Sequence, residues 1–289
     1  MKRAPHTTAS NPVIQRSGTQ SIERAALLLR HVALRSQIGW GLSELSRFCE
    51  LDKATTFRII TGLVNQRLLQ QSPIDRKYRP GPLLFEMGLS VPDHASFLAL
   101  CHVPLRRLAR QFRAIATLTL KSEDQGVKAA RATGMSSKGL TAYIGQHRPL
   151  VTTTGGIAIL ITLPEADAEQ IINQNFRTLR NFGKERIRAI EKVINKSRKL
   201  GFAISENETT RGLSTFGIAI TTSETELGTA LPLGAISLAG PVMDYPKTRI
   251  PKVLERIGIE ASRIAREVIY MPKTGASVFS TEDGSLHLD

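Results

Sequence analysis

Cysteine is scarce in this chain: Cys49 and Cys101 are the only two in 289 residues. Two thiols cannot build a disulfide framework and suit a reducing compartment, where each fills space as a small hydrophobe. Long apolar runs are also missing. No stretch of about 18 apolar residues occurs, which excludes a membrane-spanning helix. The opening MKRAPHTTASNPVIQRSGTQ has no apolar segment of the kind a secretory signal needs, so residues 1–19 read as a disordered basic arm. These absences together predict a cytoplasmic protein. Motifs of catalysis are absent too: there is no G-x-S-x-G, Walker A loop, G-x-G-x-x-G or H-E-x-x-H. His94 and His102 stand without the carboxylate or cysteine spacing of a zinc site. The expectation is therefore no catalytic residue, no metal and no cofactor.

Acidic residues are in deficit, with 25 against 39 Lys and Arg, for a net charge of +14. The excess is uneven. Residues 1–80 hold 13 bases and five acids, net +8, as expected of a segment that binds a polyanion. A membrane surface would also attract this charge, but these residues contain no long basic amphipathic helix with Trp and Phe on its apolar side. Nucleic acid is the better partner.

From Ser21, a candidate N-cap, Ile22, Ala25, Ala26, Leu29, Val32 and Ala33 recur at helical spacing. Gly39 and Gly41 end that helix. Ser43 caps a short one, Glu44 to about Cys49, predicted to bury Leu45 and Phe48. Glu50-Leu51-Asp52 then leads into LDKATTFRIITGLVNQRLLQ with Asp52 as the next cap, so two short helices meet at a tight turn. Two extended pieces around Ser72-Pro73-Ile74-Asp75 form a hairpin with a basic tip, a wing. Leu83, Leu84, Met87 and Gly88 mark a linker helix. Ala95 to Phe112 is helical, with a kink or break expected at Pro104. Strand patterns follow at Ile115–Leu120, Val127–Ala132, Gly217–Thr221 and Leu233–Leu238, and helices at Arg186–Leu200 and Lys252–Ile269. The fold class is thus α+β. A winged helix-turn-helix domain covers residues 20–81, a linker helix 82–94, an α+β domain with a central antiparallel sheet 95–271, and a flexible tail 272–289.

On a wheel of about 100° per residue, Thr56, Ile59, Ile60 and Leu63 share one stripe and must face the core. The opposite side carries Ala54, Phe57, Arg58, Thr61 and Asn65, flanked by Lys53 and Thr55. An exposed Phe beside Arg and Thr makes sense in a major groove. There Arg takes guanine O6 and N7, Phe and Ala pack on thymine methyls, and Thr and Lys hold phosphates. The candidate DNA contacts are Lys53, Ala54, Thr55, Phe57, Arg58 and Thr61, with Arg76 and Lys77 in the wing.

SIERAALLLRHV, GLSELSRFCELDKATTFRIITGLVNQRLL and YRPGPLLFEMG resemble the winged helix-turn-helix of the IclR family of bacterial transcription regulators. RPLVTTTGGIAILITLPEAD, KLGFAISENETTRGL, FGIAI and GAISLAGPV resemble that family's effector-binding domain. The resemblance covers roughly residues 20–270. It implies a homodimer, often further tetramerised, on a palindromic double-stranded operator, and a GAF-like C-terminal domain that binds a small metabolite, mostly a carboxylate or aromatic acid.

The family's pocket positions fall on Leu140, Thr154, Gly155, Ser205, Leu213, Thr215, Ser237 and Ala239. Ser205 and Thr215 stand where better-known members carry Asp and Cys, and Ala239 where Ser is common, which makes this pocket less acidic. The Thr153-Thr154-Gly155-Gly156 turn opens a helix, where free N–H groups and the helix dipole favour an anion without a charged side chain. Glu206 and Glu208 could pass for an acid–base pair, but nothing in the sequence near them supplies a His, Lys or metal cluster, so their role is expected to be structural or solvated. The competing reading from another class is a metabolic enzyme whose N-terminal helices serve assembly.

Overall fold

The structure is a computed structural model and describes residues 19–91, 94–135, 143–179, 182–208, 210–222 and 232–269. Two compact units divide the chain between Leu84 and Phe85.

The first unit starts with α1, Gln20–Leu34, whose fully buried residues are Leu28 and Val32, one turn apart. Thr19 precedes it, and Ser21 already lies inside the helix. Ile22, expected on the core stripe, is 70% exposed because it sits about 120° round the helix from Leu28. α2, Leu42–Phe48, begins after Gly41 and α3, Lys53–Asn65, begins after Asp52. Leu45 is buried as expected, but Phe48 is half exposed. Its ring lies across the edge of the core, against His31 at 4.9 Å and Trp40 at 5.1 Å.

β1, Leu69–Gln71, and β2, Tyr78–Pro80, pair antiparallel, Leu69 with Pro80 and Gln71 with Tyr78. Trp40 adds a third rung: its N–H donates to the Tyr78 carbonyl at 3.0 Å and its carbonyl accepts the Tyr78 N–H at 2.9 Å. The core of the unit is thereby closed by Trp40, with Leu28, Leu45, Ile60 and Leu69 around it. Where the hairpin returns, a Cβ on Gly81 would lie 2.1 Å from the Arg67 carbonyl oxygen, so only glycine lets the two backbones pass.

α4, Pro82–Leu89, follows in sequence, then α5, His94–Phe112. Pro104 does not break α5. Proline removes a single helical hydrogen bond, whereas Cys101, Leu105, Leu108, Ala109 and Phe112 all bury their side chains and hold the helix on its sheet.

That sheet has six strands, each antiparallel to its neighbours, in the order β5-β4-β3-β8-β7-β6. The strands are β3 Ile115–Ser122, β4 Gln125–Thr133, β5 His147–Pro149, β6 Ala203–Glu206, β7 Leu213–Thr221 and β8 Pro232–Pro241. Alternate residues face opposite layers. Leu118, Phe216, Ile236 and Leu238 pack against α5 and α9, Ile250–Ile269. Ala203 and Ala235 face the layer of α6 Thr154–Leu160, α7 Glu165–Thr178 and α8 Lys184–Leu200. β3 therefore buries both faces despite its alternating sequence, being central in the sheet and covered on each side. Gly201, at φ 76°, ends α8 in the left-handed conformation that glycine adopts freely.

Candidate functional site

The outward face of α3 is set by what α3 buries. Thr56 and Ile60 are fully buried and Leu63 nearly so, which turns Lys53, Ala54, Phe57, Arg58 and Thr61 outward and leaves Thr55 half-buried. The Asp52 carboxylate accepts the Thr55 N–H at 2.7 Å, and that bond holds its pKa below the usual carboxylate range. Thr56 anchors the same turn by donating its hydroxyl to the Asp52 carbonyl at 2.8 Å. Phe57 stays 53% exposed. Thr61 donates its hydroxyl to the Phe57 carbonyl at 2.8 Å and so presents an acceptor outward. Neither Lys53 nor Arg58 has an ion-pair partner among the described residues.

The wing separates its cations by role. Arg79 is held by both Asp75 carboxylate oxygens, at 3.0 and 2.7 Å, and donates to the Gln37 and Ile38 carbonyls. This grip drives the Asp75 pKa far down and fixes the tip to the turn after α1. Arg76 at the tip is exposed, in a left-handed backbone at φ 57°, and Lys77 is half-buried. Ile74, almost wholly exposed beside them, was not among the sequence candidates.

The second site is a cavity of about 750 Å³ on the α6 side of the sheet. Its floor is three strands seen on one face: Thr117 and Thr119 from β3, Ser237 and Ala239 from β8, Leu213 and Thr215 from β7. Register places Thr117 beside Ser237 and Thr215 beside Ala239. Thr154, from the first turn of α6, shares a hydrogen bond with the Thr215 hydroxyl at 2.5 Å. Thr153 caps α6, its hydroxyl accepting the Gly156 N–H at 3.0 Å. Gly155 is held tightly, since a Cβ there would lie 2.5 Å from the Thr119 hydroxyl oxygen.

Of the eight effector candidates, Thr154, Gly155, Leu213, Thr215, Ser237 and Ala239 line this cavity. Ser205 does not. It is fully buried on β6, an edge strand, in register with Thr215. Leu140 lies outside the described residues.

Sequence reasoning missed the charged lining: Lys128, Arg148, Arg186 and Arg211, against Glu185 and Glu208. Lys128 was the legible one, a lysine inside a strand whose neighbours are apolar. Its ammonium donates to the Gln146 side chain at 3.2 Å, and burial, then Arg148 and Arg131, lower its pKa to about 8. The Glu206–Glu208 pair also needs correction, because a lysine does accompany it. Lys196 comes over from α8, 2.9 Å from Glu206 and 4.0 Å from Glu208, forming ion pairs that tie α8 to the β6 end.

Both cysteines are free and buried, with thiol pKa values pushed up by burial to about 11 for Cys49 and about 12 for Cys101. Among the described residues no cluster of His, Cys, Asp and Glu could hold a metal ion, and no helix is long and apolar enough to cross a membrane.

Residues 21–73 match the family described as IclR helix-turn-helix domain, and residues 90–266 match Bacterial transcriptional regulator IclR C-terminal. The chain is 25% identical over 236 residues to the HTH-type transcriptional regulator TsaQ1/TsaQ2 of Comamonas testosteroni, covering 81% of this chain and 83% of that one. It is 23% identical over 232 residues to KipR of Bacillus subtilis, covering 79% and 90%. These relatives are regulators, which sets the enzyme reading aside. Among solved structures, an IclR family transcriptional regulator from Brucella abortus superposes with a TM-score of 0.67 at 17% identity, over 89% of this chain and 95% of that one. An IclR homolog from Microbacterium hydrocarbonoxydans, complexed with 4-hydroxybenzoate, superposes with a TM-score of 0.64 at 14% identity, over 86% and 100%.

Proposed function

Because the chain belongs to the IclR family of bacterial transcription regulators, we propose that its affinity for a palindromic operator is set by a small anionic effector held in the 750 Å³ cavity. The observation that carries this reading is the cavity's lining. Hydroxyls of Thr117, Thr154, Thr215 and Ser237 share it with four basic side chains and only two acids, which suits an organic acid. The 4-hydroxybenzoate in the Microbacterium homolog supports the same class. The effector acts by binding one conformation better than another, and the difference in affinity sets how far the operator equilibrium moves.

DNA is contacted by Lys53, Ala54, Thr55, Phe57, Arg58 and Thr61 of α3, with Arg76 and Lys77 in the wing. One short helix reads only a few base pairs, too few for a unique genomic site, so two heads act together as a homodimer. Footprinting on the gene's own upstream region tests this: protection of two half-sites about 10–10.5 base pairs apart, or a multiple of that spacing, is expected. Protection of a single asymmetric half-site would refute the paired reading. Arg76→Ala and Lys77→Ala should weaken binding to all sequences alike, and each should reduce the slope of log affinity against log salt by about 0.9. A loss confined to one operator sequence would instead make the wing a base reader.

The effector is tested by thermal unfolding with a panel of aliphatic and aromatic acids. A ligand at about 100 times its dissociation constant should add about 2.7 kcal/mol of apparent stability. Blocking the cavity at Gly155 would test folding more than binding, since no side chain fits beside Thr119. Ala239→Phe, which projects from the floor, is the better block and should abolish the shift. Lys128 titrates at about 8, and an anion favours its charged form, so affinity should fall as pH rises from 7 to 9. Affinity unchanged across this interval would place the acid away from Lys128.

A further inference from the structure

We propose that the ligand of this cavity is a dicarboxylate, lying across the sheet with one carboxylate between Lys128 and Arg148 and the other at Arg211 and Arg186. The inference deepens the effector reading above and rests on it.

The sheet order separates the cations into two poles. Lys128 is on β4 and Arg148 on the adjacent β5. Arg211 lies two residues before the start of β7, and Arg186 is in the first turn of α8. Between β4 and β7 lie β3 and β8, so the two poles are three interstrand spacings apart, about 14 Å between backbones. Long side chains reach inward from both sides and shorten that gap. Between them the floor is hydroxyl-bearing, with Thr117, Ser237 and Thr215 on three successive strands. A skeleton that crosses this floor meets these hydroxyls interspersed with the apolar Ala239 and Leu213.

The charges at each pole are poorly answered by the protein. Lys128 has only the neutral Gln146 side chain, and neither Lys128 nor Arg148 has a carboxylate within ion-pair distance among the described residues. Burial first, and then repulsion from Arg148 and Arg131, lowers the pKa of Lys128. At the other pole Glu208 is engaged by Lys196 and accepts the Glu206 N–H, so it is not given over to Arg211. Arg186 stacks over the Phe182 ring at 4.7 Å, and no ion pair to it or to Arg211 is seen among the described residues. Lys128 and Arg148, half-buried and of like sign, favour an anion between them. Arg211 and Arg186, both exposed, form a second pole at the solvent side, beside the exposed Glu185. A monoacid answers one pole and leaves the other as it was; a diacid answers both.

The experiment is isothermal titration of the full chain with malonate, succinate, glutarate, adipate and their hydroxylated forms, beside butyrate, hexanoate and 4-hydroxybenzoate. A phosphorylated monoacid, 3-phosphoglycerate, separates carboxylate from phosphate at the second pole. The best dicarboxylate should bind at least tenfold tighter than any monoacid and tighter than the phosphate. Lys128→Gln and Arg211→Gln should each bring the dicarboxylate down to the monoacid level, with far-ultraviolet dichroism and the melting curve of the unliganded protein unchanged. Arg211 is exposed, so its variant keeps the test valid if Lys128→Gln perturbs the fold. Monoacids binding as tightly as diacids would overturn the dicarboxylate assignment and leave the effector reading standing. The same holds for a preference for the phosphate, or for a dicarboxylate insensitive to Arg211→Gln. Binding of no acid at all would overturn both.

Discussion

Trp40→Ala is expected to abolish operator binding by unfolding the N-terminal unit. Trp40 is only 1% exposed, and its backbone pairs with Tyr78 in both directions. With Arg79, which holds the tip to the turn after α1, it joins the wing to the helices. Its indole packs at a tilt of 55° against Phe48 and carries the Arg35 guanidinium 4.0 Å from the ring centre. Truncating a buried aromatic of this size costs about 3–5 kcal/mol, most of it the lost burial and the cavity left behind. A unit of some 60 residues has little to spare, because small domains bury a smaller share of their surface and are only marginally stable. Circular dichroism should show the low-temperature transition lost while that of the larger unit stays in place, and the gel shift should vanish. The Trp40 Nε1 has no hydrogen-bond partner among the described residues, so Trp40→Phe should be much milder. An alanine variant that melts and binds as wild type would show that the wing does not depend on this contact.

Arg58→Ala should act in the opposite way, leaving the fold intact and removing specificity. Its side chain is exposed on α3, with no ion-pair partner among the described residues, so its loss disturbs no internal contact. A bidentate contact to guanine is worth about 1–3 kcal/mol, or roughly 5- to 150-fold per half-site, and two half-sites count it twice. Operator affinity should fall by that factor while affinity for unrelated DNA falls far less, and base preference should relax at one position per half-site. Quantitative binding to a randomised operator library reads both effects. If the variant bound its operator with wild-type affinity, the groove-facing side of α3 would have to be reassigned.

The local parts of this protein were legible in the chain. The spacing of Thr56, Ile60 and Leu63 placed the core face of α3, and Asp52 marked its first residue, because helix periodicity and capping involve residues only a few positions apart. Strands β3, β4, β7 and β8 and the Gly201 stop were readable for the same reason.

What only the tertiary structure decided are the contacts between distant segments. Pairing of β3 with β8 brings Thr117 beside Ser237, and no local pattern announces which strand lies next to which. Ser205, buried on the edge strand β6 opposite Thr215, falls outside the cavity, although its spacing along the chain fitted. Lys196 reached Glu206 across a helix–strand boundary, and Phe48 stayed at the rim because Trp40 had already filled the core. The four cations of the cavity come from β4, β5, α8 and the segment before β7, each unremarkable in its own stretch. Charges separated by tens of residues become one electrostatic site only when the sheet order sets them across a common floor, and that order is fixed by long-range burial, not by local propensity.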